Sequence, residues 1–461
     1  MKFKALTAAL AAAAITVSAG AFTAFADSGD VEINGTNFPD DVFRQYVSDK
    51  CDTDGNGVLA QWEIEKVTSI WAPNGISNMK GIEYFTALEF LNCYNKKLTS
   101  LDLSRNTALK ELNCGDNQLT NLDVSNNTAL TELHCFDNQL TSLDLSQNTA
   151  LKELGCSGNQ LTSLDVRQNT ALRNLDCSFN QLTSLNVSGC TALTELNCYV
   201  NQLTSLNVSD CTALTELQCY SNQLTSLNVS GCTALTTLIC EGNQLKRLNV
   251  SKNTVLKNFW CDGNQLKNLN VSQNTALEKL DCSGNQLTSL DVSKNTGLAD
   301  LQCYNNNLTS LNLSANKYLS DLNSSDNTYS IGKVTTYDLK NLPAGFDISK
   351  ASNWKGATLD GSVLTNITSD KITYTYDCGN GRSETFTLTT TQKSDDDISD
   401  PVSAFVNRLY TISLTDPQNP QDLTTGQMLS PQAKRPPQIL FTVLQTALSS
   451  TTRLFPTIRS L

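Results

Sequence analysis

From Leu88 onward the chain repeats one pattern of apolar and polar positions every 21 residues. In one repeat, Leu109, Leu112, Cys114, Leu119, Leu122 and Val124 are apolar, and the residues between them are polar or small. The alternation about Leu112-Asn113-Cys114 predicts a short strand with Leu and Cys facing a core and Asn facing out. Eleven cysteines keep this spacing without a break: Cys93, Cys114, Cys135, Cys156, Cys177, Cys198, Cys219, Cys240, Cys261, Cys282 and Cys303. A twelfth, weaker repeat starts at Leu319 and carries Ser324 at the cysteine position. No single repeat can close a core, so the pattern requires stacked turns whose inward residues form ladders about 5 Å apart.

Self-similarity at this period, with Leu, Asn and Leu at fixed offsets, marks a leucine-rich repeat solenoid. The nested halves LxxLxCxxNx and LxxLDVSxNTA resemble the IRREKO type of bacterial leucine-rich repeat, and the resemblance runs from Leu88 to about Asn327. The expected fold is therefore a β-rich repeat solenoid of about twelve turns over residues 88–328, with a small helical N-terminal cap and a small all-β C-terminal module. One asparagine column, Asn117 to Asn306, is placed to bond backbone groups left open at the bend after each strand. A second, Asn106 to Asn316, changes to Cys190, Cys211 and Cys232 in mid-array.

The flanks differ in character. Lys2 and Lys4 precede an apolar run from Ala5 to Phe25 that ends in Ala24-Phe25-Ala26, so residues 1–26 read as a signal peptide cleaved after Ala26. Residues 27–87 read as the N-terminal cap, with Val67, Ile70, Ile76, Met79, Ile82 and Phe85 leading into the array. The stretch from Asp52 to Glu63 resembles an EF-hand calcium loop. That resemblance implies side-chain oxygens from Asp52, Asp54 and Asn56, the Val58 carbonyl, a bidentate Glu63, a sharp turn at Gly57, and Ca2+ as the cofactor. Ala60 departs from the pattern, because it brings no oxygen. Helices are expected on both sides, with Phe43, Tyr46 and Val47 before the loop and Trp62, Ile64 and Val67 after it.

After the array, residues 329–392 lose the leucine period. Lys371–Cys378 and Arg382–Thr389 alternate about Gly379-Asn380-Gly381, which predicts a hairpin. Residues 393–400 form an acidic linker, and 401–414 have helical apolar spacing. This last segment resembles the opening of a helical domain found in bacterial extracellular proteins, but residues 415–461 do not continue it. They read either as an out-of-frame tail or as a native disordered one.

Sixteen cysteines in an exported chain would ordinarily suggest disulfides. Adjacent rungs are close enough to pair, yet a ladder that follows the leucines favours buried free thiols. Cys51 and Cys378, outside the array, are open to pairing with each other or with nothing. The formal charge is −12, and it becomes −14 once Lys2 and Lys4 are removed, which disfavours nucleic acid and anionic membranes as partners. No segment after the leader is apolar enough to insert in a membrane. His134 is the only histidine and sits beside Cys135 on opposite strand faces, so it makes no catalytic dyad. The chain is not expected to be an enzyme.

The outward strand positions beside the cysteines carry the candidate ligand-binding residues: Tyr94, His134, Phe136, Tyr199, Tyr220, Trp260 and Tyr304. Aromatic side chains stacked on neighbouring turns suit a protein or glycan ligand. The Glu111, Glu132, Glu153 column sets like charges about 5 Å apart, which a basic ligand or a cation would relieve. The expected function is that of a secreted or cell-surface, adhesin-like binding protein of a bacterium, acting as a monomer. A non-binding stalk that presents a C-terminal module is the alternative, and an acid–base hydrolase is the remote third.

Overall fold

The computed structural model describes residues 29–391. The signal peptide, acidic linker, 401–414 helix and tail expected from the sequence lie outside those residues. Twelve three-residue strands, from Phe90–Asn92 to Asp321–Asn323, form one parallel sheet, joined at its start by Ser69–Trp71 from the cap. Each residue pairs with its counterpart one repeat later, as in Leu112 with Leu133 and Leu133 with Leu154. The register never slips, because a slip would turn every leucine to solvent. A second line of pairing, which the sequence pattern did not foretell, runs through the LxV half-repeat. Ser163–Asp165 pairs with Ser184–Asn186, and isolated bridges continue through Asn207, Asn228 and Asn249.

Between these two lines lies the core. In one turn Leu172, Leu175, Cys177, Leu182, Leu185 and Val187 are all buried, and the other turns repeat the arrangement. Each side chain touches the same residue type above and below it, so one well-packed turn specifies the next. All sixteen cysteines are free thiols and buried. Burial pushes Cys93, Cys135 and Cys219 up to about 12, so almost no thiolate forms at neutral pH. A thiol reagent is therefore expected to label few cysteines in the native protein and most of them after denaturation. Heavy labelling of the native protein, or none in either state, would contradict the core-thiol assignment.

The asparagine columns hold the bends. Asn201 donates through Nδ2 to the carbonyls of Cys177, Cys198 and Tyr199 at 3.1, 3.1 and 3.3 Å, while its Oδ1 accepts the Leu182 N–H at 2.9 Å. This column runs one turn further than the sequence reading placed it. Asn327 bonds the Cys303 and Ser324 carbonyls at 3.1 and 2.8 Å. In the second column only the amide N–H groups are used. Asn253 donates to Val229 and Cys232 at 3.0 and 2.8 Å, and its Oδ1 has no partner among the described residues. A thiol can replace that function in part, which explains the cysteines in mid-column. Cys190 and Cys232 direct their Sγ atoms to the Val166 and Val208 carbonyls at 3.4 and 3.3 Å.

Both ends of the core are covered. At the N-terminal end, Asp40 caps helix Asp41–Lys50 by accepting the Val42 and Phe43 N–H groups, and Phe43 and Val47 are buried beneath the helix. The second helix differs from expectation. Gln61–Ile64 is a single turn, and Trp62 is exposed, with the Lys66 ammonium 4.2 Å above its ring.

The C-terminal residues build a four-stranded sheet ordered Thr328–Ser330, Arg382–Thr389, Lys371–Gly379, Ala351–Lys355, beside a three-stranded one. The expected hairpin forms, and Asn380 and Gly381 both take positive φ, as a tight two-residue turn requires. These sheets close the end of the array. The Tyr374 hydroxyl donates to the Thr309 carbonyl at 2.6 Å, Asn380 Nδ2 to that of Leu313 at 2.5 Å, and Arg382 Nη2 to that of Leu319 at 2.7 Å. Ser324 stands where earlier turns have cysteine because its hydroxyl meets the Glu384 carboxylate, at 2.7 Å, where another turn would otherwise stack.

Candidate functional site

The outward residues beside the cysteine ladder gather into two aromatic groups. Tyr94 and Phe136 come from turns two repeats apart, yet their rings meet at 5.8 Å. They can do so because Gly115 stands between them; a Cβ there would lie 2.7 Å from the Phe136 ring. Further along, Tyr199 and Tyr220 stack face to face at 4.3 Å and 7°. Phe179 adds its edge to Tyr199 at 5.4 Å. Trp260 and Tyr304 belong to later turns and are half-buried.

The sequence pattern missed Phe179 because it lies two residues after its cysteine. That position takes positive φ in turn after turn, at Asp116, Asp137, Phe179, Val200 and Ser221 among others. A phenylalanine in this backbone region is uncommon, and that is the signal that would have found it. The outward positions also prove less exposed than strand alternation predicts. Ser178 is 1% exposed, because Tyr199 leans over it and bonds to its side chain. Burial raises the pKa of both stacked tyrosines, with Tyr199 and Glu241 adding to the effect at Tyr220, so both keep a hydroxyl proton to donate.

Between the two aromatic groups lies a cavity of about 310 Å³, lined by His134, Phe136, Glu153, Ser157, Asp176 and Glu195 among others. His134 faces this side of the sheet while Cys135 is buried in the core, so the two do not act together.

The loop after helix Asp41–Lys50 brings the Asp52, Asp54 and Glu63 carboxylates within 4.8 Å of one another. Asp52 accepts the Gly55, Asn56 and Gly57 N–H groups, Asn56 Oδ1 accepts that of Val58, and the turn passes through Gly57 at φ 82°. Glu63 is buried, and its carboxylate accepts the Thr53 N–H and hydroxyl at 2.6 and 2.8 Å and the Ala60 N–H at 3.1 Å. Burial alone would raise the Glu63 pKa, but these hydrogen bonds outweigh it and hold the carboxyl below its usual range. Hard oxygen donors converging from one short loop fit a calcium ion. A paired EF-hand braces each loop against the other. Here Val58–Leu59 pairs antiparallel with Val31–Glu32 instead.

The fold and face together define a capped leucine-rich repeat solenoid. A family model described as Leucine Rich repeats (2 copies) matches residues 128–169. The functional domain of InlJ from Listeria monocytogenes, a structure described as including a cysteine ladder, is 30% identical. The match covers 79% of this chain and 99% of that domain, with a TM-score of 0.50. An internalin, InlF, from Listeria monocytogenes is 26% identical, covering 64% of this chain and 97% of that one, also with a TM-score of 0.50. No curated protein matches the chain in sequence. The chain belongs to the family of internalin-like leucine-rich repeat proteins that contains the InlJ domain. Among the described residues, no helix is long and apolar enough to cross a membrane.

Proposed function

We propose that the chain is a secreted or surface-attached bacterial binding protein that holds a protein ligand on the outer face of its parallel sheet. The stacked pair Tyr199 and Tyr220 carries this reading. Face-to-face stacking leaves ring edges for a partner, a surface that suits protein side chains better than the flat face of a sugar ring. The Glu153, Asp176 and Glu195 carboxylates of the neighbouring cavity favour basic groups on that partner. A calcium ion held by Asp52, Asp54, Asn56, the Val58 carbonyl and Glu63 would stiffen the cap at the start of the array.

The test is a binding screen of the full chain against host proteins and glycans, followed by Tyr199→Ala with Tyr220→Ala. Loss of the pair is expected to weaken ligand binding at least tenfold, about 1.4 kcal/mol. The rings also pack on Phe179 and Ser178, so circular dichroism must show that the double variant stays folded. Normal ligand binding by a folded double variant would move the site elsewhere. A hit confined to glycans would overturn the protein-ligand reading.

A further inference from the structure

On the strand Glu132–His134, the first and third residues project to the same outer face, and Glu153 lies directly beside Glu132 on the next strand. Donor atoms of Glu132, His134 and Glu153 all fall within 4.8 Å of one another, and all three side chains are half-buried. None makes a side-chain hydrogen bond or an ion pair among the described residues, so the imidazole and both carboxylates have unused lone pairs. The neighbour of His134 in register is Gly155, and a Cβ there would stand 3.0 Å from Nδ1. The space at the ring nitrogen is thus kept open by the sequence.

We propose that Glu132, His134 and Glu153 bind a divalent transition-metal ion of the zinc class on the outer face of the sheet. An imidazole with two carboxylates is a donor set for such ions, whereas calcium takes oxygen donors alone. Three protein ligands also leave a position for water or for a donor from a partner. His134 and Glu153 both line the 310 Å³ cavity, so the ion would sit at its wall. The charges agree with this assignment. Burial raises the Glu132 pKa, and Glu111 and Glu153 add to the rise, while Lys152 offsets it in part. A bound cation would relieve that strain. Burial lowers the His134 pKa against the pull of Glu153 and Glu111, which favours the neutral ring that a metal requires.

The experiment is calorimetric titration of the full chain with zinc, alongside His134→Asn and Glu153→Gln. Asparagine already occupies the same strand position in Asn113 of the preceding turn, so the first variant is expected to fold. Glu153→Gln keeps the shape of the side chain and provides a second reading if it does not. Each change should weaken zinc binding at least tenfold, whereas Asp52→Ala with Glu63→Gln should leave it unchanged. The cobalt(II) spectrum of the wild type should show no thiolate charge-transfer band. Three results would each overturn the proposal: a wild type that binds no zinc, affinity unaltered in both variants, or a thiolate band showing that the ion had gone to the cysteines. None of these measurements depends on identifying a protein ligand.

Discussion

Asn201→Ala is expected to lower the stability of the folded chain by about 1–3 kcal/mol, read from the midpoint of denaturant unfolding. The side chain makes four hydrogen bonds, three as donor and one as acceptor, and is buried. Alanine would strand the buried Leu182 N–H, whereas the Cys177, Cys198 and Tyr199 carbonyls each keep one other donor, from Asn180, Asn222 and Phe179. One stranded buried donor costs about 1–3 kcal/mol. The carbonyls lose only the second of two bonds, which is why the expected loss stays near that of a single group. Asn253→Cys is the matched control. That column uses only amide donors, and Cys190 and Cys232 already direct Sγ atoms to the equivalent carbonyls. The control should therefore lose only about 1 kcal/mol or less, one net hydrogen bond. An unchanged midpoint for Asn201→Ala, or equal losses in both variants, would remove the distinction between the columns.

The contrast between the columns shows why so much of this fold is legible in the sequence. A stacked turn imposes its requirements on the same position every time, so Leu112, Cys114 and Asn117 are read together with all their counterparts. Requirements that many residue types can meet leave no such trace. Aspartate, glycine, asparagine, serine, phenylalanine and valine all occupy the positive-φ position after the cysteine, and Phe179 was overlooked there for that reason. Contacts made once in the chain are equally silent. The docking of Tyr374, Asn380 and Arg382 onto Thr309, Leu313 and Leu319 turns an apparent separate module into an end cap, and no periodicity announces it. At the candidate sites, the Tyr199 and Tyr220 pair was visible because it keeps the 21-residue spacing. The Glu132, His134, Glu153 group was visible only in part. The glutamates repeat along their column, but the histidine occurs once, and its relation to Gly155 depends on strand register.

Calcium is expected to raise the stability of the wild type and to do nothing for Asp52→Ala with Glu63→Gln. At free calcium about one hundred times Kd, an ion that binds only the folded state adds about 2.7 kcal/mol. The pairing of Val58–Leu59 with Val31–Glu32 gives the loop a brace from its own cap, so binding does not need a second hand. Affinity should still fall in the weak range of extracellular modules, because Ala60 supplies no oxygen and the loop has no partner loop to order it. The readout must be the increment produced by calcium, since the double variant starts from a lower baseline. Glu63 already ties Thr53 to Ala60 without any ion, and losing its charge weakens those bonds. Acid should act in the same direction as the substitutions. The Glu63 carboxyl is held below its usual range, so its contribution is present above the unfolded-state value and is lost as pH falls through the folded-state one. A wild type whose melting temperature ignores millimolar calcium would end the assignment of this loop as a calcium site, and it would leave the zinc site and the tyrosine face untouched.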